Sequence, residues 1–188
     1  MRYLKVLLTV LVIIGLSGCV KDKNIIPHRI DYPSLDVPSF IDLLKAGRYK
    51  TFMLPAFTPA DIPELLKYRN ETVLIRNFPF NPFSSYSMEE CRLGVFVLWT
   101  IEGMRSAAES GSEKIYDILQ FHSLNPMLVV ESTKQLVDIN NEIAHAIVSL
   151  KYYEWWTLNE GLDWAELCKI NPLEGTGYVW FFPALLFK

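Results

Sequence analysis

Glu142-Ile-Ala-His145 sets a carboxylate and an imidazole three residues apart, the spacing with which helical bundles hold a di-iron centre. Such a centre needs a second E-x-x-H and two further inward glutamates, and the sequence holds no second copy. On a helix both groups turn away from an apolar stripe through Ile143, so the pair reads as a solvated ion pair and no metal site is expected. His28, His122 and His145 lack zinc-ligand spacing. Phosphate-binding loops, dinucleotide fingerprints, H-E-x-x-H and G-x-S-x-G elbows are missing, and Gly175-Thr176-Gly177 reads as a turn. Glu154, Glu160, Asp163, Glu166 and Glu174 supply acids for a glycosidase-type pair, but that chemistry requires two carboxylates facing one cleft. No catalytic residue and no cofactor is assigned, and an enzyme is the less favoured reading.

Cys19 is the residue whose surroundings specify a reaction. Arg2 and Lys5 give a positive start, Val6 to Ile14 an apolar run broken only by Thr9, and Leu16 is followed by the small residues Ser17 and Gly18 before the thiol. These are the three parts of a secretory signal, and the run is too short to span a bilayer as a helix. Leu-Ser-Gly-Cys resembles the lipobox of bacterial lipoproteins. That resemblance implies a diacylglycerol on the Cys19 thiol, cleavage that removes residues 1–18, and acylation (palmitate) of the new amine. Several acyl chains suffice for stable anchoring. Val20 is not the aspartate that retains enterobacterial lipoproteins at the inner membrane, so an outer-membrane lipoprotein is expected, on the periplasmic leaflet or the cell surface.

The chain has 188 residues and a net charge of −3, and loss of Arg2 and Lys5 makes it more acidic. That length suits one domain, and an acidic balance disfavours nucleic acid as a partner. Cys91 and Cys168 remain after lipidation; both sit among apolar neighbours, where a disulfide and buried free thiols are each compatible with the sequence.

From residue 19 to residue 38 the chain is polar and dotted with Pro27, Pro33 and Pro38, which reads as a tether; residues 39–188 read as a single helical domain. Ser39 is expected to open a helix over Phe40 to Ala46 ended by Gly47, and Thr58 or Asp61 to cap a second near Leu65 and Leu66. "TVLIRNFPFNPF" reads as an extended connector. Ser87-Met88-Glu89-Glu90 reads as a capping box for a helix to about Arg105, apolar nearly all round, in which Gly94 and Gly103 admit a close neighbour. A short helix over Glu113 to Phe121 follows. The longest helix is predicted over Ser132 to Thr157, with Leu136, Ile139, Ile143, Ala146, Ile147, Leu150 and Tyr153 as its packed stripe. A short helix near Leu162 to Lys169 and an extended segment over Tyr178 to Phe182 close the chain. The expected class is all-α, with HEAT-like irregular hairpins and a minor extended C-terminal segment.

Opposite that stripe lie Asp138, Asn141, His145, Ser149, Tyr152 and Trp156, with Trp155 and Trp164 near in sequence. Rings and amides in such a line can serve a protein interface, a sugar face, or burial under a second helix. The leading functional expectation is a non-catalytic, membrane-anchored module or scaffold that binds another envelope protein. Glycan or peptidoglycan binding through Tyr152, Trp155, Trp156 and Trp164 is the alternative.

"LPAFTPADIPELLKYRN", "NPFSSYSMEECRLGVFVLWTIEGMR" and "INPLEGTGYVW" are similar to segments of an uncharacterised lipoprotein family of Bacteroides and relatives, a domain of unknown function. The similarity covers about Phe40 to Trp180. It implies a Gram-negative envelope and carries over no catalytic residue.

Overall fold

The computed structural model describes residues 30–80, 88–109 and 125–182. The chain divides into Met1–Ile30 and Asp31–Lys188, and the fold is that of the second unit. The Cys19 region, Ser87 and the helix expected over 113–121 lie outside the described residues.

Asp36 opens α1 (Val37–Lys45) by accepting from the Ser39 amide at 2.9 Å. The Ser39 side chain, followed by that amide, holds its carboxyl below the usual aspartate value. Pro38 sits in the first turn, where its missing N–H costs nothing, and Gly47 takes the left-handed conformation (φ 62°) that ends the helix. The folded unit therefore begins before Ser39: Tyr32–Ser34 form a 3-10 turn, Val37 is buried, and the Ala56 amide donates to the Pro33 carbonyl. Residues 31–38 belong to the domain and not to a tether.

Thr58 and Asp61 bind each other reciprocally ahead of α2 (Ile62–Leu66). The chain then forms β1 (Leu74–Ile75), antiparallel to β2 (Cys91–Arg92), with Leu74 opposite Arg92 and Ile75 opposite Cys91. A capping box at 87–90 would start the next helix too early. Glu90 instead pairs with Arg76 at 3.3 Å, and α3 (Leu93–Glu109) starts directly after β2. Its first amides are capped by backbone: Leu93 N–H donates to the Val73 carbonyl and Gly94 N–H to the Glu71 carbonyl, both at 2.9 Å. Glycine at 94 is required, since a Cβ there would lie 2.4 Å from the Arg69 carbonyl oxygen.

Every residue of α3 from Leu93 to Met104 is buried. Around it, Phe40 meets Tyr49 and Phe57 edge-on, and Phe96 packs 5.6 Å from both Phe78 and Trp99. This aromatic cluster is the centre of the core.

The helix expected to be longest begins ten residues later than the sequence pattern suggests and equals α3 in length at 17 residues. Leu128–Val130 form β3, the chain turns with Lys134 at φ 59°, and Leu136 bridges back to Val129. Asn141 then caps α4 (Glu142–Leu158), its side chain accepting from the Ala144 amide. After α5 (Trp164–Leu167), capped by Asp163, the positive-φ Gly175 and Gly177 lead into β4 (Tyr178–Trp180). β4 lies antiparallel on β3, Leu128 facing Trp180 and Val130 facing Tyr178. The described part is mainly helical, with two two-stranded sheets that fasten the ends of the long helices.

α4 is rotated relative to the sequence expectation. Ala144, Val148, Ser149, Tyr152 and Trp155 are its buried face. Ile143, Ala146, Leu150 and Tyr153, expected in the core, are exposed. Apolar residues occupy both sides of this helix, so its period alone does not choose a face. Polar partners choose it: Tyr152 bonds Glu102 of α3, and Ser149 bonds Asn70.

Candidate functional site

Two built features and one open surface converge on α4. The first is a buried polar network between α3, α4 and β4. Arg105 grips Glu102 with Nε to Oε2 at 3.0 Å and Nη2 to Oε1 at 2.7 Å, and its Nη1 donates to the Cys168 carbonyl at 2.6 Å. Tyr152 donates its hydroxyl proton to Glu102 at 2.7 Å, and the Trp180 indole N–H donates to the same hydroxyl oxygen at 2.7 Å. Burial and the adjacent Glu102 carboxylate push the Tyr152 phenol well up, so it remains a donor. Burial alone would lower the Arg105 pKa, but the bonds and charge of Glu102 override it and fix the guanidinium as a cation. The network forms the wall of a cavity of about 350 Å³ that Lys169 and Asn171 also line. Both carboxylates facing this cavity, Glu102 and Glu109, are bound to Arg105. This is a satisfied structural clamp.

The second feature lies at the N-terminal end of α4. Arg92 on β2 is 8% exposed, and its Nε donates to the Ile139 carbonyl at 2.6 Å. Glu142 is its carboxylate partner, at 3.9 Å and outward-facing. A cavity of about 250 Å³ beside it is lined by Arg69, Thr72, Arg92, Glu142 and His145 among others. His145 is half-buried, and its Nδ1 finds no partner among the described residues. Desolvation, followed by the charge of Arg92, lowers its pKa to about 4 against the weaker pull of Asp138 and Glu142. The imidazole is thus neutral near pH 7 and packed, which corrects the expected solvated pair with Glu142.

The open surface is the outer side of α4. Ile143, Leu150, Tyr153 and Leu158 are 74%, 53%, 42% and 80% exposed. Arg69 lies over the Tyr153 ring at 4.4 Å and fixes one edge of this stripe. Lys151 and Glu154 pair with each other beside it at 2.7 Å.

The residues expected to form one ligand or partner face are dispersed. Asp138 and Asn141 are exposed but serve local turns, accepting from the Asn140 and Ala144 amides. Tyr152 is fully buried and Trp155 is 4% exposed, so neither offers a ring to a sugar. Trp156 and Trp164 are half-buried and pack 6.0 and 6.4 Å from Trp155. The face is replaced by an aromatic cluster inside the fold. Of the five surface acids, Glu154 binds Lys151 and Asp163 caps α5. Cys91 and Cys168 are free and buried, and burial pushes the Cys91 thiol up. Among the described residues, no group of three His, Cys, Asp or Glu is gathered for a metal, and no helix is long and apolar enough to cross a membrane.

Residues 31–181 match the family described as Domain of unknown function (DUF4943). The chain belongs to that family. No curated protein and no solved structure matches it. The match spans every element from the Tyr32 turn to β4, so the clamp, the Arg92 cavity and the open stripe all lie within the DUF4943 domain. Sequence reading passed over Glu102, Arg105, Arg92 and Trp180. The available signal was the pair of charges, Glu102 and Arg105, set three apart on a helix otherwise apolar all round.

Proposed function

We propose that this DUF4943 protein is a non-catalytic binding module, anchored in the outer membrane of a Gram-negative envelope through lipid on Cys19, that docks an apolar helix of another envelope protein along α4. The observation that carries the reading is the outer side of α4: Ile143, Leu150 and Tyr153 stand at i, i+7 and i+10 and, with Leu158 in the last turn, stay exposed while the opposite face fills the core. Soluble proteins rarely leave a contiguous apolar patch of this kind uncovered, and i, i+3, i+4, i+7 anchors are how helices are read in grooves. The lipobox and the acidic charge support an envelope address and a protein partner over nucleic acid.

The test is position-specific photocrosslinking of the lipidated protein in its native membrane. Crosslinkers at Ile143, Leu150 and Leu158 are expected to trap one predominant protein, a crosslinker at the exposed Lys50 to trap none of it, and Leu150→Glu to abolish the adduct. Equal crosslinking from Lys50, or trapping of glycan alone, overturns the reading. A Cys19→Ala form is expected to leave the membrane fraction and lose the partner.

A further inference from the structure

We infer that the cavity beside Arg92 is a binding site for a small monocarboxylate, held by the guanidinium of Arg92. Among the described residues, two arginines with largely covered side chains, Arg92 and Arg105, set the comparison. Arg105 uses four of its five N–H donors: two bonds to Glu102, a third to Glu109 at 3.3 Å and a fourth to the Cys168 carbonyl. Arg92 is as deeply placed, with its side chain 9% exposed, yet it has one hydrogen bond through Nε and a carboxylate at 3.9 Å whose own side chain is 81% exposed. The Nη groups of Arg92 make no hydrogen bond among the described residues, and the planar fork of a guanidinium is shaped for two parallel bonds to a carboxylate. The space into which it opens, about 250 Å³, is below the usual range for drug-sized ligands and suits a molecule of a few carbons.

The other walls define the ligand further. Thr72 brings a hydroxyl, and the first turns of α4 line the same space through Glu142, His145 and Ala146. Neutral His145 adds no charge. Arg69 on the rim is engaged by the Leu66 carbonyl and the Tyr153 ring, while Glu71, although tied to Lys45 at 3.2 Å, and Glu142 place negative charge there, which opposes a dianion such as phosphate more than a monoanion. Val95 and Ala146 provide apolar wall for a short alkyl group. The site is independent of partner docking on α4, so either can fail alone.

Titration of ¹⁵N-labelled protein with acetate and propionate at constant ionic strength tests this, read at the Arg92 Nε–H and the Thr72 and Ala146 amides. Saturable shifts with a Kd in the millimolar range are expected, propionate binding more tightly than acetate and inorganic phosphate more weakly than either. Glu142→Gln, a change on an exposed side chain, removes the competing carboxylate and is expected to tighten acetate binding about fivefold. Arg92→Lys is expected to abolish saturation. If that variant does not fold, the Glu142→Gln comparison decides. Linear shifts without saturation, an unchanged Kd in Glu142→Gln, or tighter binding of phosphate overturns the proposal.

Discussion

Two residues show how burial of polar groups has been resolved in opposite ways. Tyr152 is both donor to Glu102 and acceptor from Trp180, so Tyr152→Phe keeps the ring and leaves the indole N–H without its acceptor. The expected loss is about 1–3 kcal/mol, with a lower urea midpoint and an unchanged m value. His145 is a cost that depends on pH. Its folded pKa of about 4 lies below the ordinary histidine value of 6.5, so the unfolded chain takes up a proton more readily than the native one. Its contribution to stability is complete above the unfolded pKa and is lost as pH falls from about 6.5 towards 4. His145→Gln should therefore lose less stability than the parent between pH 7 and pH 4.5, as measured by urea unfolding at each pH. A parallel decline in both proteins would show that the imidazole is not withdrawn from water beside Arg92 as described.

At the scale of elements, α3 and α4 differ in what the sequence reveals. α3 is apolar nearly all round and buried from Leu93 to Met104, so its pattern and its fate agree, and Gly94 is legible as a close approach. Gly94→Ala improves helix propensity by roughly 1 kcal/mol, yet its new methyl meets backbone at the Arg69 carbonyl. The clash should dominate, with a net loss of about 2 kcal/mol or more by chemical denaturation. α4 was misread because two apolar stripes compete on one helix. The choice is made by Tyr152 and Ser149, whose partners Glu102 and Asn70 are 50 and 79 residues away and leave no trace in local periodicity. Its start was misread for a related reason: Leu136 and Ile139 keep the three-and-four spacing, while β3 takes Leu128–Val130 into a sheet whose other strand is almost at the far end of the described chain. The rotation has a direct test. Ile143→Ser and Leu158→Ser should change stability by no more than about 0.5 kcal/mol, whereas Val148→Ala should cost about 1–3 kcal/mol. The reverse order would restore the stripe expected from sequence.

For the whole molecule, the C-terminal strand is the closing piece. β4 pairs with β3, the Phe181 amide donates to the Met127 carbonyl, and Trp180 covers α4 while bonding Tyr152. Arg105 reaches the Cys168 carbonyl, so the segment leading to β4 is also held to α3. One set of contacts thereby links β2–α3, α4 and the last described residues into a single cooperative unit of long sequence separation. Two consequences separate this arrangement from a row of independent helical hairpins, in which each piece would be stabilised by its neighbours in sequence. Trp180→Ala should cost about 3–5 kcal/mol, through both the cavity and the lost bond to Tyr152. Truncation before Tyr178 should abolish cooperative unfolding of the whole domain, because it removes a strand, Trp180 and Phe181 together. Circular dichroism and tryptophan fluorescence would then lose their shared transition in the truncated chain. A chain cut before Tyr178 that still melted in one sharp step would mean that α1 to α4 form the cooperative unit without the strand, and that Tyr152 and Glu102 satisfy each other without Trp180.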